Sequence, residues 1–170
     1  MESREYVRIR IPREQFTPEQ YKSIAYTDTR IPVGVYEDHP VLMAQPNING
    51  RILQALDVQD DDLVLEIGTG SGYQAAILAQ IAGKVISVER IANLAKEASR
   101  TLAELSLRGN EPRVALQLVE RARELEPGVT AWRVIEARAK NRIGKPGEAL
   151  VVLGGIPDAE RRQMPILRLI

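Results

Sequence analysis

"LEIGTGSGYQ", Leu65 to Gln74, is the stretch on which the reading of this chain turns. Five residues hold three glycines, Gly68, Gly70 and Gly72, between an apolar strand-like run and a helix-like run. A glycine turn between strand and helix lets the backbone come close to a ligand. The helix N-terminus adds unpaired N–H groups and a positive dipole end. The spacing G-x-G-x-G departs from the dinucleotide pattern G-x-G-x-x-G, and no Gly-Lys-Ser/Thr follows to make a P-loop. Around Ser71, Thr69 and Tyr73 stand where a nucleophile elbow needs glycines. Glu89 ends the next strand-like run, 21 residues after Gly68. A carboxylate there can accept hydrogen bonds from both hydroxyls of a ribose. The pair suits an adenosine-type ligand without demanding a pyrophosphate.

Working outward, "LVLEI" (63–67) is short, apolar and bounded by turn signals, with Asp60, Asp61 and Asp62 as a polar turn before it. It predicts a buried strand. "GYQAAILAQIA" predicts a helix closed by Gly83, "KVISVER" a second buried strand, and "IANLAKEASRTLAELSL" a further helix. Strand, helix, strand at this spacing is a βαβ unit, so a parallel sheet with a right-handed crossover is expected. Upstream, residues 11–30 predict a short helical or turn-rich lead-in, with Thr17-Pro18 as helix N-cap and first position. Residues 31–46, with three prolines and one glycine, predict an irregular loop. Apolar residues near the helical period from Asn47 predict a helix.

After Leu107 the character changes. Residues 111–170 show no strand pattern. "PRVALQLVERARELEP" predicts a helix opened by Pro112. "TAWRVIEARAKNRIG" predicts another, with Trp132, Ile135, Ala139 and Ile143 on one face, and "GEALVVLGGIP" a shorter third. The division is expected at 108/109, giving domains 1–108 and 109–170. Charge divides the same way: 12 Lys/Arg against 15 Asp/Glu (−3) in the first part, 11 against 8 (+3) in the second. That imbalance is far from the basicity of a nucleic-acid binder. No run reaches the ~18 apolar residues of a membrane span, and the N-terminus lacks a signal-peptide core. The chain has no cysteine, which fits the cytoplasm. With a single histidine, His39, it offers no transition-metal site. His39, in "EDHP", reads as a surface residue.

"VLEIGTGSGYQAAILA" followed by "VISVERI" resembles the first motif and acidic strand end of the protein-L-isoaspartate O-methyltransferases. "PREQFTPEQYKSIAYTDTRIPVG" and "QPNINGRILQAL" are similar to that family's approach to its fold, so the resemblance covers roughly 11–107. It implies an α/β, partial Rossmann-like methyltransferase fold and S-adenosylmethionine as ligand. Glu66, Gly68, Thr69, Gly70, Ser71 and Gly72 would then line the methionine end, and Glu89 would hold the ribose. The implied substrates are isoaspartyl-containing proteins or peptides. Two departures stand out. "GVYEDHPVLMAQP" replaces the family's Gly-His-Gly-Gln-type loop and its hydroxyl residues. The family's later strands, with the adenine-binding acid and the far wall of the cleft, have no counterpart, so no catalytic residue can be named and the activity is expected to be impaired.

The remaining stretch, "ALQLVERARELEPGVTAWRVIEARAKNRIGKPGEALVVL", resembles a tetratricopeptide repeat, a little over one 34-residue period with an extra residue before Gly144. It implies an α-helical repeat-like tail. Few repeats bury too little surface to stand alone, so the tail is expected to pack on the first domain or on another copy, or to stay mobile. Apolar Ile166, Leu167, Leu169 and Ile170 add to the pull toward a homo-oligomer. The rival to a cofactor-binding methyltransferase is a non-catalytic interaction protein acting through that tail.

Overall fold

The computed structural model of the chain describes residues 11–161. The sequence-level expectation for Ile166 to Ile170 therefore lies outside the described residues. The chain forms two compact units, the first reaching Ala98 and the second beginning at Ser99.

The first unit opens with two short 3-10 helices, Arg13–Phe16 and Glu19–Ile24. Pro18 is the N-cap of the second, and Thr17, expected in that role, instead donates its hydroxyl to the Arg13 carbonyl at 3.0 Å. The expected loop over 31–46 is a β-hairpin. Strand β1 (Ile31–Tyr36) pairs antiparallel with β2 (His39–Met43), in register Ile31↔Met43 and Tyr36↔His39. Its turn is Glu37 and Asp38, both left-handed at φ 48° and 63°. Two positive φ values match the right-handed twist of the flanking strands. Prolines are tolerated because both strands of a two-stranded ribbon are edges, and the register shifts between Pro32 and Gly34.

Helix α1 (Pro46–Leu56) leads to β3 (Leu63–Ile67), the glycine turn, α2 (Tyr73–Leu78), β4 (Lys84–Val88) and α3 (Ala92–Arg108). β3 and β4 run parallel, pairing Leu63↔Lys84 through Ile67↔Val88. Helix α2 has six residues, shorter than expected, because the chain leaves the helix at Ala79 and turns toward Gly83. Its side chains are nearly all buried, and Tyr73 meets Phe16 edge-on at 5.5 Å. A Cβ on Gly83 would stand 2.7 Å from the Asp60 carbonyl oxygen. Glycine lets the Asp60–Asp62 turn pass close by, and Lys84 N–H donates to Asp62 O at 3.0 Å. One face of the β3–β4 pair is open. Leu65 and Ile67 are 61% and 81% exposed, beside Ile86 and Val88.

The second unit takes the end of α3, then α4 (Pro112–Leu125), α5 (Thr130–Arg142), α6 (Pro146–Gly154) and α7 (Asp158–Arg161). It begins ten residues before the expected division, because Ala103 and Leu107 of α3 join the core of Ala115, Val119, Trp132 and Ile135. Trp132 and Ile135 are both buried inside this unit's own core. Arg138 holds Glu104 through both carboxylate oxygens at 2.8 and 3.0 Å.

Two helix starts of this unit, 34 residues apart, share their backbone geometry. Glu111 and Lys145, the N-caps of α4 and α6, have φ/ψ of −111°/61° and −115°/57°. Asn110 and Gly144 before them are both left-handed. Glu111 N–H donates to Ser106 O at 2.7 Å, and Lys145 N–H to Lys140 O at 2.9 Å. Buried Ala115 and Ala149 occupy the same place in each helix.

Candidate functional site

The site is built where β3 and β4 end. A parallel pair delivers both C-termini to one edge, so the residues after Ile67 and Val88 meet there. Gly68 and Thr69 donate their N–H groups to the Val88 carbonyl at 2.8 and 3.2 Å, tying the glycine turn to β4. Gly68, Gly70 and Gly72 take φ values of 88°, 55° and 86°. These are left-handed conformations that side chains resist. A Cβ on Gly68 or Gly70 would meet nothing within 4 Å, so conformation, not crowding, requires glycine there. The turn is open at both points.

Glu89 reaches across from the end of β4. One carboxylate oxygen accepts the Gly70 N–H at 2.9 Å, and the other accepts the Ile91 N–H at 2.9 Å. Each oxygen carries two lone-pair positions, so both keep capacity for a further donor. Glu66 lies on the covered face of β3, opposite Ser87 in the register, and is 8% exposed. The Ser87 hydroxyl donates to Glu66, and the Thr69 and Ser87 hydroxyls lie 2.6 Å apart. Burial holds the Glu66 carboxyl above its ordinary 4.5; the Ser87 hydrogen bond opposes this, and the charge of Glu89 adds to it.

Ser71 faces the hairpin: its hydroxyl meets the Met43 sulfur at 3.3 Å and accepts the Tyr73 N–H at 3.4 Å. Thus Glu66, Gly68, Thr69, Gly70, Ser71, Gly72 and Glu89 gather at one edge of the sheet. His39 is exposed at the start of β2. With only six residues, α2 adds little dipole to the turn, so the backbone N–H groups and the two carboxylates carry its polarity.

Three contributors were missed from sequence. Ser87 sits in an apolar run and gains meaning only from its register opposite Glu66. Met43 enters through a hairpin read as a loop. Arg13, fully buried, places its guanidinium 4.9 Å from the Tyr73 ring centroid and donates to Ala44 O at 2.6 Å, bracing the base of the site.

Residues 6–121 match the family model described as protein-L-isoaspartate(D-aspartate) O-methyltransferase. The chain is 37% identical over 145 residues to protein-L-isoaspartate O-methyltransferase 1 of Rhodopseudomonas palustris, covering 85% of this chain and 56% of that protein. It is 42% identical over 102 residues to the protein-L-isoaspartate O-methyltransferase of Methanoculleus marisnigri, with coverage of 60% and 44%. The one from Dictyoglomus turgidum is 44% identical over 94 residues, with coverage of 55% and 41%. The chain spans about half the length of the curated relatives it matches. No helix among the described residues is long and apolar enough to cross a membrane.

Proposed function

The chain belongs to the protein-L-isoaspartate(D-aspartate) O-methyltransferase family, and from that premise we propose that its glycine turn holds S-adenosylmethionine for methyl transfer to isoaspartyl carboxylates in damaged proteins. The observation that carries this reading is the Glu89 carboxylate resting on the Gly70 N–H, because it puts an acid and an open glycine backbone within reach of one ligand. The residues fit the methionine and ribose parts of that ligand. Glu66, Gly68, Thr69, Gly70, Ser71 and Gly72 line the first, and Glu89 accepts from the ribose hydroxyls. No described residue can be assigned to the adenine side.

When bound, the cofactor supplies an electrophilic sulfonium methyl to a carboxylate oxygen. The chain's own part is positioning and electrostatics. Glu66 and Glu89 favour a cationic ligand, and the tie from Thr69 through Ser87 holds the turn against β4. On the substrate side, Leu42, Met43 and Ala44 precede Gln45-Pro46 without a hydroxyl. We therefore assign no catalytic residue and expect low turnover from this chain alone. Titration calorimetry with S-adenosylhomocysteine tests the reading. Weak but measurable binding is expected, and Glu89→Ala should weaken it about tenfold or more, as loss of hydrogen bonds to a charged group implies. Equal affinity of the two proteins would remove Glu89 from the site.

For the second unit we propose a tetratricopeptide-like repeat, supported by the 34-residue spacing of its caps and turns. We place the division at 108/109, with domains 1–108 and 109–170, on the change from a strand-and-helix to an all-helix pattern there. The open apolar face of β3 and β4 favours a homo-oligomer, since parallel sheets are normally covered on both faces. Sedimentation velocity should show a dimer or larger species; a strict monomer at all concentrations argues against it. We expect the protein to act in the cytoplasm.

A further inference from the structure

A hydroxyl carries one proton, and at the glycine turn these single protons can be followed from group to group. An ionised carboxylate accepts hydrogen bonds and donates none. Glu66 therefore takes the Ser87 proton. Having spent it, Ser87 can only accept from the Thr69 hydroxyl, 2.6 Å away. The order along the chain is thus fixed: Thr69 donates to Ser87, and Ser87 donates to Glu66. Thr69 is half-buried, and its oxygen keeps only lone pairs for a group arriving from outside.

The donors around it are spent in the same way. The N–H groups of Gly68 and Thr69 go to the Val88 carbonyl, and that of Gly70 goes to Glu89. Gly72 N–H goes to the Thr69 carbonyl and Tyr73 N–H to the Ser71 hydroxyl. The Ser71 proton itself goes to the Met43 sulfur at 3.3 Å. A turn that receives phosphate aims its N–H groups at the anion. This turn spends them internally and presents acceptors, the Thr69 hydroxyl oxygen and the Glu89 carboxylate.

We propose that Thr69 is a specificity-determining residue of this site, its proton drawn inward by Ser87 so that its oxygen accepts from the ammonium group at the amino-acid end of the ligand. The proposal rests on the cofactor reading and deepens it. Ser87 becomes a positioning residue, acting through Thr69 and deciding whether that hydroxyl can accept or donate.

Neutron diffraction from crystals of the full chain in heavy water reads the proton order without a ligand. Deuterons are expected on Ser87 toward Glu66 and on Thr69 toward Ser87. A deuteron on Glu66, or on Ser87 toward Thr69, would overturn the proposal whatever the protein binds. Titration calorimetry then compares S-adenosylhomocysteine with its desamino analogue, in which hydrogen replaces the ammonium group. The full chain should favour the amino compound about tenfold or more. Thr69→Val and Ser87→Ala should each reduce that preference about threefold or more, and Thr69→Ser should retain it. Ser87→Ala is the sharper variant, because it keeps the Thr69 hydroxyl and releases its proton. Equal weakening of both compounds by Ser87→Ala would give Ser87 a merely structural role and overturn the proposal. Binding of neither compound by the full chain, with the deuterons in the expected order, would instead remove the cofactor reading, and the specificity of Thr69 with it.

Discussion

The sheet of the first unit and the helices of the second meet the same demand, the covering of apolar surface, and meet it differently. β3 and β4 bury one face and leave Leu65, Ile67, Ile86 and Val88 open on the other. The helices after Ser99 close on themselves around Trp132, with Ala103, Leu107, Ala115, Val119 and Ile135 nearly or fully buried. The difference lies in where the partners come from. Consecutive helices can cover one another with their sequence neighbours, whereas a parallel sheet needs strands and helices from far along the chain.

Trp132→Ala should have the largest effect on this contrast. Emptying that position should destabilise the second unit by about 3–5 kcal/mol. The indole N–H is buried with no hydrogen-bond partner among the described residues. Trp132→Phe should therefore be far milder than the loss of a satisfied indole. Urea unfolding followed by circular dichroism measures both, and equal losses for the two variants would contradict the packing.

The next effect belongs to the site. Ser87→Ala removes the hydroxyl shared between Glu66 and Thr69, leaves a buried carboxylate less satisfied, and should cost about 1–3 kcal/mol. Burial raises the Glu66 carboxyl, so its contribution to stability is fully present below 4.5 and is lost as pH rises through the raised value. Glu66→Gln should remove that loss, and a pH series of thermal unfolding would show the two curves converging in acid. The variant lacking Ser87 should move the wild-type loss to still higher pH.

Two smaller effects sharpen the contrast. Ile67→Lys changes a side chain 81% exposed and should shift stability by no more than about 0.5 kcal/mol in a dilute monomer. A larger loss that grows with concentration would mean the sheet face is covered by another copy. In the second unit, Glu148 is held down to about 2, first by the Lys140 hydrogen bond at 2.8 Å and then by that of Lys145 at 2.7 Å. A depressed carboxyl contributes fully above 4.5 and loses its contribution as pH falls toward about 2. Acid thus weakens this pair while relieving Glu66. Because Glu148 is exposed, Glu148→Gln should flatten the acid limb of the second unit only slightly.

The sequence was most legible where local signals decide the structure. Glycines bounding "LVLEI" and "KVISV", and prolines opening α4 and α6, punctuate the chain at the places where β3, β4 and those helices begin or end. The hairpin was hidden because its turn is Glu37-Asp38, without the Asn-Gly or Asp-Gly that usually marks positive φ at both positions. Ser87 was hidden for another reason. Its partner Glu66 is 21 residues away, and only the parallel register brings them together.

Gly83 decides more than the close passage of one turn. By admitting the Asp60 carbonyl it fixes the point at which β4 starts against β3, and so which residues of the two strands share a side. Side chains alternate with a period of two, so a slip of β4 by a single residue would turn Ser87 outward and bring Ile86 against Glu66. The orientation of the hydroxyl that steadies the glycine turn is thus encoded at a residue that never touches it. A larger side chain at position 83 would act as a frameshift in space, leaving every amino acid of the site present and its face reversed.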